Sequence, residues 1–469
     1  MRKTIKTCAI SLLMAAMYSP VFAQEPASYD ESKIWSLEEC LQYGLKNHPK
    51  VIMADQDVKI QEAALLSTKA SFDPKVSASM NLGNSKDQRR GNVTSFHSNS
   101  SQSESISVSK KLYDSGKFSL QKKQSKEALE AAKKDRETTL ISMAANIKTM
   151  FFKAQQAQRM LQVKLETLDG YEKHLKKVET FVEVGTHAPY DITKAQVNVA
   201  NARVDLISAK STLKEALVNV GNAIGVDHPI HVAAYELEEL PNIDESVKQE
   251  YVNIALERPE VKSSEARLRS AKYRISEART SLKPTLNSSA GYSWSQTHTP
   301  QDRGWNVGLG LSWSLYDGRS TKASIDSAKS SYEKTKASLD NLKLNIDMEV
   351  ENCINDIIDS SQRVKANEVL VKQTSESLEL AESRYDTGLG SPLEITDARV
   401  DYEKAKGNYI TAYFDCLIAQ TKLDNTLGRM PKEYSMDKAV EELGDNKELD
   451  EVKAVIEPVE AEEADEEKR

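Results

Sequence analysis

The sequence predicts an internally duplicated α+β membrane protein: long antiparallel coiled-coil helices joined to a transmembrane β-barrel that is shared between protomers, four strands from each. Three observations predict it. The second half repeats the first, each half contains a very long helical stretch without proline, and each half carries paired segments that alternate apolar and polar residues.

The duplication is read from matched positions. His48-Pro49-Lys50-Val51 is echoed by Arg258-Pro259-Glu260-Val261, Pro74 by Pro284, and Leu112-Tyr113-Asp114-Ser115-Gly116 by Leu315-Tyr316-Asp317-Gly318. Beyond that point Gly185 matches Gly388, Pro189 matches Pro392, Ile192 matches Ile395 and Gly225 matches Gly428. The repeats are placed at 24–225 and 258–428, with a linker at 226–257. Their lengths differ between Pro74 and Tyr113, in a Ser/Asn-rich stretch, where a loop is expected to absorb the difference.

Each half reads as helix, hairpin, long helix, tight turn, helix. The long helices are expected from about Lys117 to Val184 and from about Arg319 to Thr387. At about 1.5 Å per residue each spans on the order of 100 Å, more than a globular domain can bury. Val350, Ile357, Val364, Val371, Leu378 and Tyr385 recur every seven residues, as do Leu161, Leu168, Leu175 and Val182. A sustained seven-residue stripe means supercoiled packing against neighbouring helices. The shorter helices, laid end to end in pairs, match one long helix. Their junctions, with the linker, are expected at mid-height as a belt.

The hairpins are expected at about 75–112 and 285–316. Val307, Leu309, Leu311, Trp313 and Leu315 fall on one face of the last strand, and Asn306, Gly308, Gly310, Ser312 and Ser314 on the other. Leu286, Ala290, Tyr292 and Trp294 form the apolar side of its partner. Val76, Ala78, Met80 and Leu82, with Ile106, Val108 and Leu112, repeat the pattern in the first half. One face suits lipid and the other water, and strands of nine to twelve residues reach across a bilayer. Four strands cannot close a barrel, and an open edge in hydrocarbon leaves backbone groups unpaired, so copies must share one.

The ends fit this picture. Arg2, Lys3 and Lys6 precede a short apolar run and Val21-Phe22-Ala23, which reads as a signal peptide over 1–23. Its removal takes the net charge from −8 to −11, so nucleic acid is not expected as a partner. Residues 429–469 read as an acidic, disordered tail. Cys40, Cys353 and Cys416 show no CxxC and no histidine pair. No phosphate loop, nucleophile elbow or metal-binding helix is present. No enzyme, cofactor, metal or catalytic residue is expected.

Trp35-Ser36-Leu37-Glu38-Glu39-Cys40-Leu41 leading to Asn47-His48-Pro49, the Leu-Tyr-Asp strand exits and Arg384-Tyr385-Asp386-Thr387-Gly388 before Leu393-Glu394-Ile395 give the chain a family likeness. Over nearly the whole mature sequence it resembles the TolC family of outer-membrane efflux proteins. The resemblance implies a homotrimer in the outer membrane of a Gram-negative bacterium, with a shared β-barrel in lipid and a helical α-barrel reaching through the periplasm. It implies a passive exit duct for efflux or type I secretion, partnered by a periplasmic membrane-fusion adaptor and an inner-membrane pump. The turns at Gly185, Thr186, Gly388 and Leu389 would then form the tip and dock the adaptor. Glu394 and Asp397 would supply acidic rings to an iris-like gate, with Asp191 and Tyr385 as a latch. Gly390 departs from the family, which carries arginine there. From the residues alone, a solvated helix face near a turn is the favoured reading of Glu394 and Asp397, and the gate role rests on the resemblance. The rival readings are a periplasmic coiled-coil adaptor, which would need barrel domains flanking one hairpin, and a secreted structural coiled coil, which leaves the alternation at Val307 to Leu315 without a cause.

Overall fold

Two helices of 67 residues each, α3 (Lys117–Glu183) and α7 (Ser320–Asp386), set the dimensions of the protein. The computed structural model describes residues 34–89, 95–185, 188–235, 240, 243, 245–297 and 302–431. The expected signal peptide and nearly all of the expected acidic tail lie outside the described residues. No helix among them is long and apolar enough to cross a membrane.

Around the long helices the first half contributes α1 (Leu37–Asn47), α2 (Pro49–Ala70) and α4 (Pro189–Ile224), and the second α5 (Lys248–Ala255), α6 (Pro259–Ala278) and α8 (Pro392–Thr426). Proline opens α2, α4, α6 and α8. Its fixed φ suits the first helical turn, where its missing N–H is not needed. Ser36 caps α1 in a reciprocal box, its hydroxyl accepting from the Glu39 N–H and its own N–H donating to the Glu39 carboxylate.

The short helices stack end to end. Gly225, at the end of α4, has φ +87° and lies against His48 and Pro49 at the start of α2; Gly428, past α8, has φ +69° and lies against Arg258 and Pro259 at the start of α6. Both positions demand a left-handed backbone and crowd any Cβ, which would lie 3.2 Å from the His48 Cα at Gly225 and 2.8 Å from the Arg258 Cβ at Gly428, so glycine is favoured twice over. In the first half α2 and α4 thus flank α3, and in the second α6 and α8 flank α7. A belt gathers at the junctions. The Trp35 carbonyl of β1 (Ile34–Trp35) accepts from the Ala233 N–H just after β4 (His231–Val232). Gln155, buried in α3, donates to the Ala233 carbonyl and accepts from the Tyr235 N–H.

The seam of α3 differs from its heptad reading. Tyr171, His174 and Val178 are buried, whereas Leu161, Leu168, Leu175 and Val182 are only half-buried. The reason is position: α3 packs on α4 and also on α8, so two flanks need covering and the buried stripe widens past one heptad row. In α7 the expected row is buried at Val350, Ile357, Val364 and Tyr385.

The sheet has the order β2-β3-β5-β6, all antiparallel, from β2 (Lys75–Arg89), β3 (Ser95–Tyr113), β5 (Thr285–Thr297) and β6 (Asp302–Ser312). Register aligns Val76, Val108, Ala290 and Val307 in one row and Ala78, Ile106, Tyr292 and Trp305 in the next. The intervening rows carry Ser77, Ser107, Gly291 and Asn306, then Ser79, Ser105, Ser293 and Gly304. Over these rows one face is apolar across all four strands and the other carries serine, glycine and asparagine. Val307, Leu309 and Leu311 are 68 to 73% exposed, so this chain alone gives the apolar face nothing to pack on. The first hairpin is longer than the expected nine to twelve residues per strand, at 15 and 19. Serine and asparagine do not forbid backbone pairing, and the ladder runs on through much of the stretch expected as loop.

Two outcomes follow from this geometry. Gly428→Ala should destabilise the fold by about 1 to 3 kcal/mol through strain and overpacking. Gly407→Ala, mid-helix and facing only the flexible end of Met160, should stabilise it by about 0.5 to 1 kcal/mol; thermal melts of the helical circular dichroism signal measure both. Val307→Arg puts a charge in the apolar row of Val76, Val108 and Ala290 and should cost about 2 to 4 kcal/mol near mid-bilayer, whereas Gly308→Arg points to the opposite face, where a Cβ meets only the Ser289 hydroxyl at 3.8 Å. The yield of membrane-inserted protein should fall for the first variant and hold for the second.

Candidate functional site at the helical tip

The far ends of the long helices turn back through tight loops. After α3 the chain passes through Gly185 at φ +82° and re-enters a helix at Pro189; after α7 it passes through Gly388 at φ +75° and re-enters at Pro392. Thr186 lies outside the described residues. Val184, Tyr190, Leu389 and Leu393 are exposed around these turns, giving the tip an apolar surface.

In the second turn the N–H groups of Leu389 and Gly390 both donate to the Arg384 carbonyl at 2.9 Å. A Cβ at residue 390 would sit 2.9 Å from the Tyr385 nitrogen and 3.1 Å from the Arg384 carbonyl carbon. The turn is too tight for any side chain there, which is a physical reason for glycine. Ser391 then caps α8, accepting from the Glu394 N–H at 3.3 Å.

The predicted residues fall into two groups. Glu394 and Asp397 lie in the first turns of α8, both exposed. Glu394 is not a free charge: Arg384 approaches its carboxylate at 3.4 Å. Asp397 has no ion-pair partner among the described residues. Asp191 and Tyr385, from opposite halves of the sequence, lie near enough for the carboxylate charge to act on the phenol. Tyr385 is 2% exposed, its ring against His174 at 5.4 Å and Phe181 at 5.6 Å, in a cluster with Val178, Ala195, Ile395 and Ala398. Burial pushes its hydroxyl above the usual tyrosine pKa, and the carboxylates of Asp191 and Asp386 push it further. The phenol therefore stays protonated.

Charged ties that the sequence did not disclose surround this cluster. Lys177 of α3 donates to both carboxylate oxygens of Asp386 of α7 at 3.0 and 3.1 Å. Arg399 of α8 bonds Glu382 at 2.5 Å and lies over the Tyr171 ring at 5.6 Å, and a Cβ on Gly170 would collide with its guanidinium. Further from the tip Lys164 joins Glu403 of α8 and Asp205 of α4, bordering an open groove of about 520 Å³. Burial alone would lower the pKa of this ammonium, but the two carboxylates outweigh it and raise it. The tip thus closes on an apolar cluster ringed by ion pairs. No cluster of His, Cys, Asp or Glu suited to a metal occurs among the described residues.

A family profile described as Outer membrane efflux protein matches residues 41–226 and 251–429, both repeats. The chain belongs to the outer membrane efflux protein family. It is 22% identical over 440 residues to the probable efflux pump outer membrane protein TtgC of Pseudomonas putida, covering 88% of this chain and 87% of that one. It is 19% identical over 439 residues to the outer membrane efflux protein BepC of Brucella suis, covering 92% of each. Among solved structures, the Campylobacter jejuni CmeC outer membrane channel aligns with a TM-score of 0.73 at 16% identity, over 91% of this chain and 98% of that one. CusC aligns at 0.72 and 18%, over 87% and 98%. The fold is that of these channels, with a helical barrel and a β domain, and the place of the family is the outer membrane.

Magnitudes rank the forces at the tip. An exposed ion pair such as Lys177 with Asp386 contributes about 0 to 1 kcal/mol, whereas truncating a buried aromatic costs about 3 to 5 kcal/mol. Tyr385→Ala should accelerate amide hydrogen exchange in residues 171–185 and 381–395, and Asp386→Asn should leave exchange there nearly unchanged.

Proposed function

We propose that the chain is the exit duct of a tripartite efflux or type I secretion assembly, acting as a homotrimer. Three copies pool four strands each into a closed barrel in outer-membrane lipid, and their long helices form the tunnel below it. The observation that carries this reading is the sheet: β2 and β6 are edges, the apolar face is exposed, and the opposite face is lined by serine and glycine. A lone copy would leave both edges unpaired in hydrocarbon, so closure by other copies is required. TtgC is named for an efflux pump and OpmQ of Pseudomonas aeruginosa for pyoverdine export, which supports a pump and an adaptor as partners. The turns at Gly185, Thr186, Gly388 and Leu389 are the adaptor's docking points, and the exposed Val184, Tyr190 and Leu393 beside them suit a protein partner.

The tip acts as the gate, with Tyr385 and Asp191 as its latch. Repeated around one axis, the acids of α8 focus a negative potential at the mouth. Because Arg384 matches Glu394, Asp397 supplies most of the unbalanced charge. The mass of the detergent-solubilised protein should equal three chains; a folded monomer would refute the assembly. In planar bilayers Asp397→Asn should remove most cation selectivity, Glu394→Gln rather little, and Arg384→Gln should increase it. Selectivity that survives Asp397→Asn together with Glu394→Gln would reduce these carboxylates to a solvated helix face.

A further inference from the structure

Basic residues collect where the strands give way to the helices. Residues 66–75, 108–126, 276–290 and 310–325, which make those junctions, hold twelve Lys and Arg against four Asp and Glu, in a chain whose net charge is −8. The acids there are engaged. Asp114 accepts the N–H groups of Gly116 and Phe118, Asp317 accepts the N–H and hydroxyl of Thr321, and Glu277 accepts from Gln121 and Gln124. Asp73 alone keeps an exposed carboxylate with no such bond. By contrast Lys69, Lys110, Arg279, Lys283, Arg319 and Lys322 are exposed, and none forms an ion pair among the described residues. Elsewhere on the helices basic side chains are repeatedly paired with acids, so the excess at this level is not a general property of the surface.

A second feature occupies the same level. Tyr113, Trp313 and Tyr316 are 55, 58 and 80% exposed at the strand ends, and the Trp313 indole N–H is anchored on the Leu282 carbonyl at 3.0 Å. Exposed tyrosine and tryptophan at the end of an apolar band mark the depth of lipid headgroups. Lys110 lies in the row of Ser288 and Leu309, the same face as Val108 and Val307, so its ammonium stands on the lipid side.

We propose that this basic collar is a binding surface for the phosphate headgroups of anionic phospholipids in the periplasmic leaflet of the outer membrane. The ammonium and guanidinium groups supply charge-assisted donors to phosphate oxygens, and the aromatic girdle fixes the depth at which they meet them. The surface rests on the outer-membrane placement of the sheet and is independent of the gate, so failure of either leaves the other standing.

The full-length oligomer is equilibrated with mixed micelles of phosphatidylglycerol and phosphatidylcholine, and the lipid it retains is counted by native mass spectrometry. The wild type should retain phosphatidylglycerol about fivefold or more over phosphatidylcholine, the preference falling as salt rises and resisting inorganic phosphate at matched ionic strength. Replacing Lys110, Lys283, Arg319 and Lys322 together by Gln should bring the ratio close to one, while Lys210→Gln with Lys214→Gln on α4 should leave it unchanged. Equal retention of both lipids by the wild type would overturn the proposal, a result that needs no variant to fold. Displacement by inorganic phosphate would also overturn it, as would a preference that persists in the assembled four-residue variant.

Discussion

Backbone amides that enter hydrocarbon must be paired, and the rest of this protein depends on that requirement. The four strands pair among themselves through three ladders and leave one edge of β2 and one of β6 open. In water such edges could be blunted by charge or proline; in lipid they can be satisfied only by another strand. In the proposed assembly, oligomerisation is therefore a condition of folding in place, not an addition to a finished domain. The same requirement explains the hairpin plan, since β2 with β3 and β5 with β6 are antiparallel neighbours in sequence and need no crossover through the membrane.

Below the sheet the controlling quantity is length. Helices on the order of 100 Å cannot share one compact core, and their stability comes from neighbours along the whole stripe. The design meets this with two short helices per long one, butted at glycines where a Cβ would collide with the next helix. Apolar burial is continuous past the joint: one cluster around Ile346, Val350, Cys353 and Ile357 collects α5, α6 and α8 against α7.

Much of this was legible in the sequence because it is periodic. The duplication fixes which elements correspond, the two-residue alternation from Trp305 to Leu311 fixes a face, and Pro49, Pro189, Pro259 and Pro392 fix helix starts, whereas Trp313 and Leu315, expected in the same strand, lie past its end at Ser312. What was hidden depends on contacts between distant positions. Lys177 and Asp386 lie in different repeats, and nothing local to either announces the other. The engagement of Glu394 by Arg384 crosses a turn whose tightness is visible only once Gly390 is seen to have no room for a side chain. The heptad row in α3 misplaced the buried stripe because a heptad describes one partner and this helix packs on several. The length of the first hairpin was missed because serine and asparagine carry no periodic signal, although they pair through the backbone as well as any residue.

The end-to-end joints at Gly225 and Gly428 make the protein a ruler with fixed graduations. Each long helix is spanned by a pair of shorter ones, so a length change in one arm has to be matched in the helix beside it and in the second repeat, or the two tip turns no longer meet at one height. The supercoil adds a further condition, because only whole seven-residue steps keep the seam facing its partners, about 10.5 Å at a time. The distance this duct can bridge is thus quantised. A wider gap between its membrane and whatever meets its tip must be crossed by lengthening the partner, or by several coordinated insertions made together here.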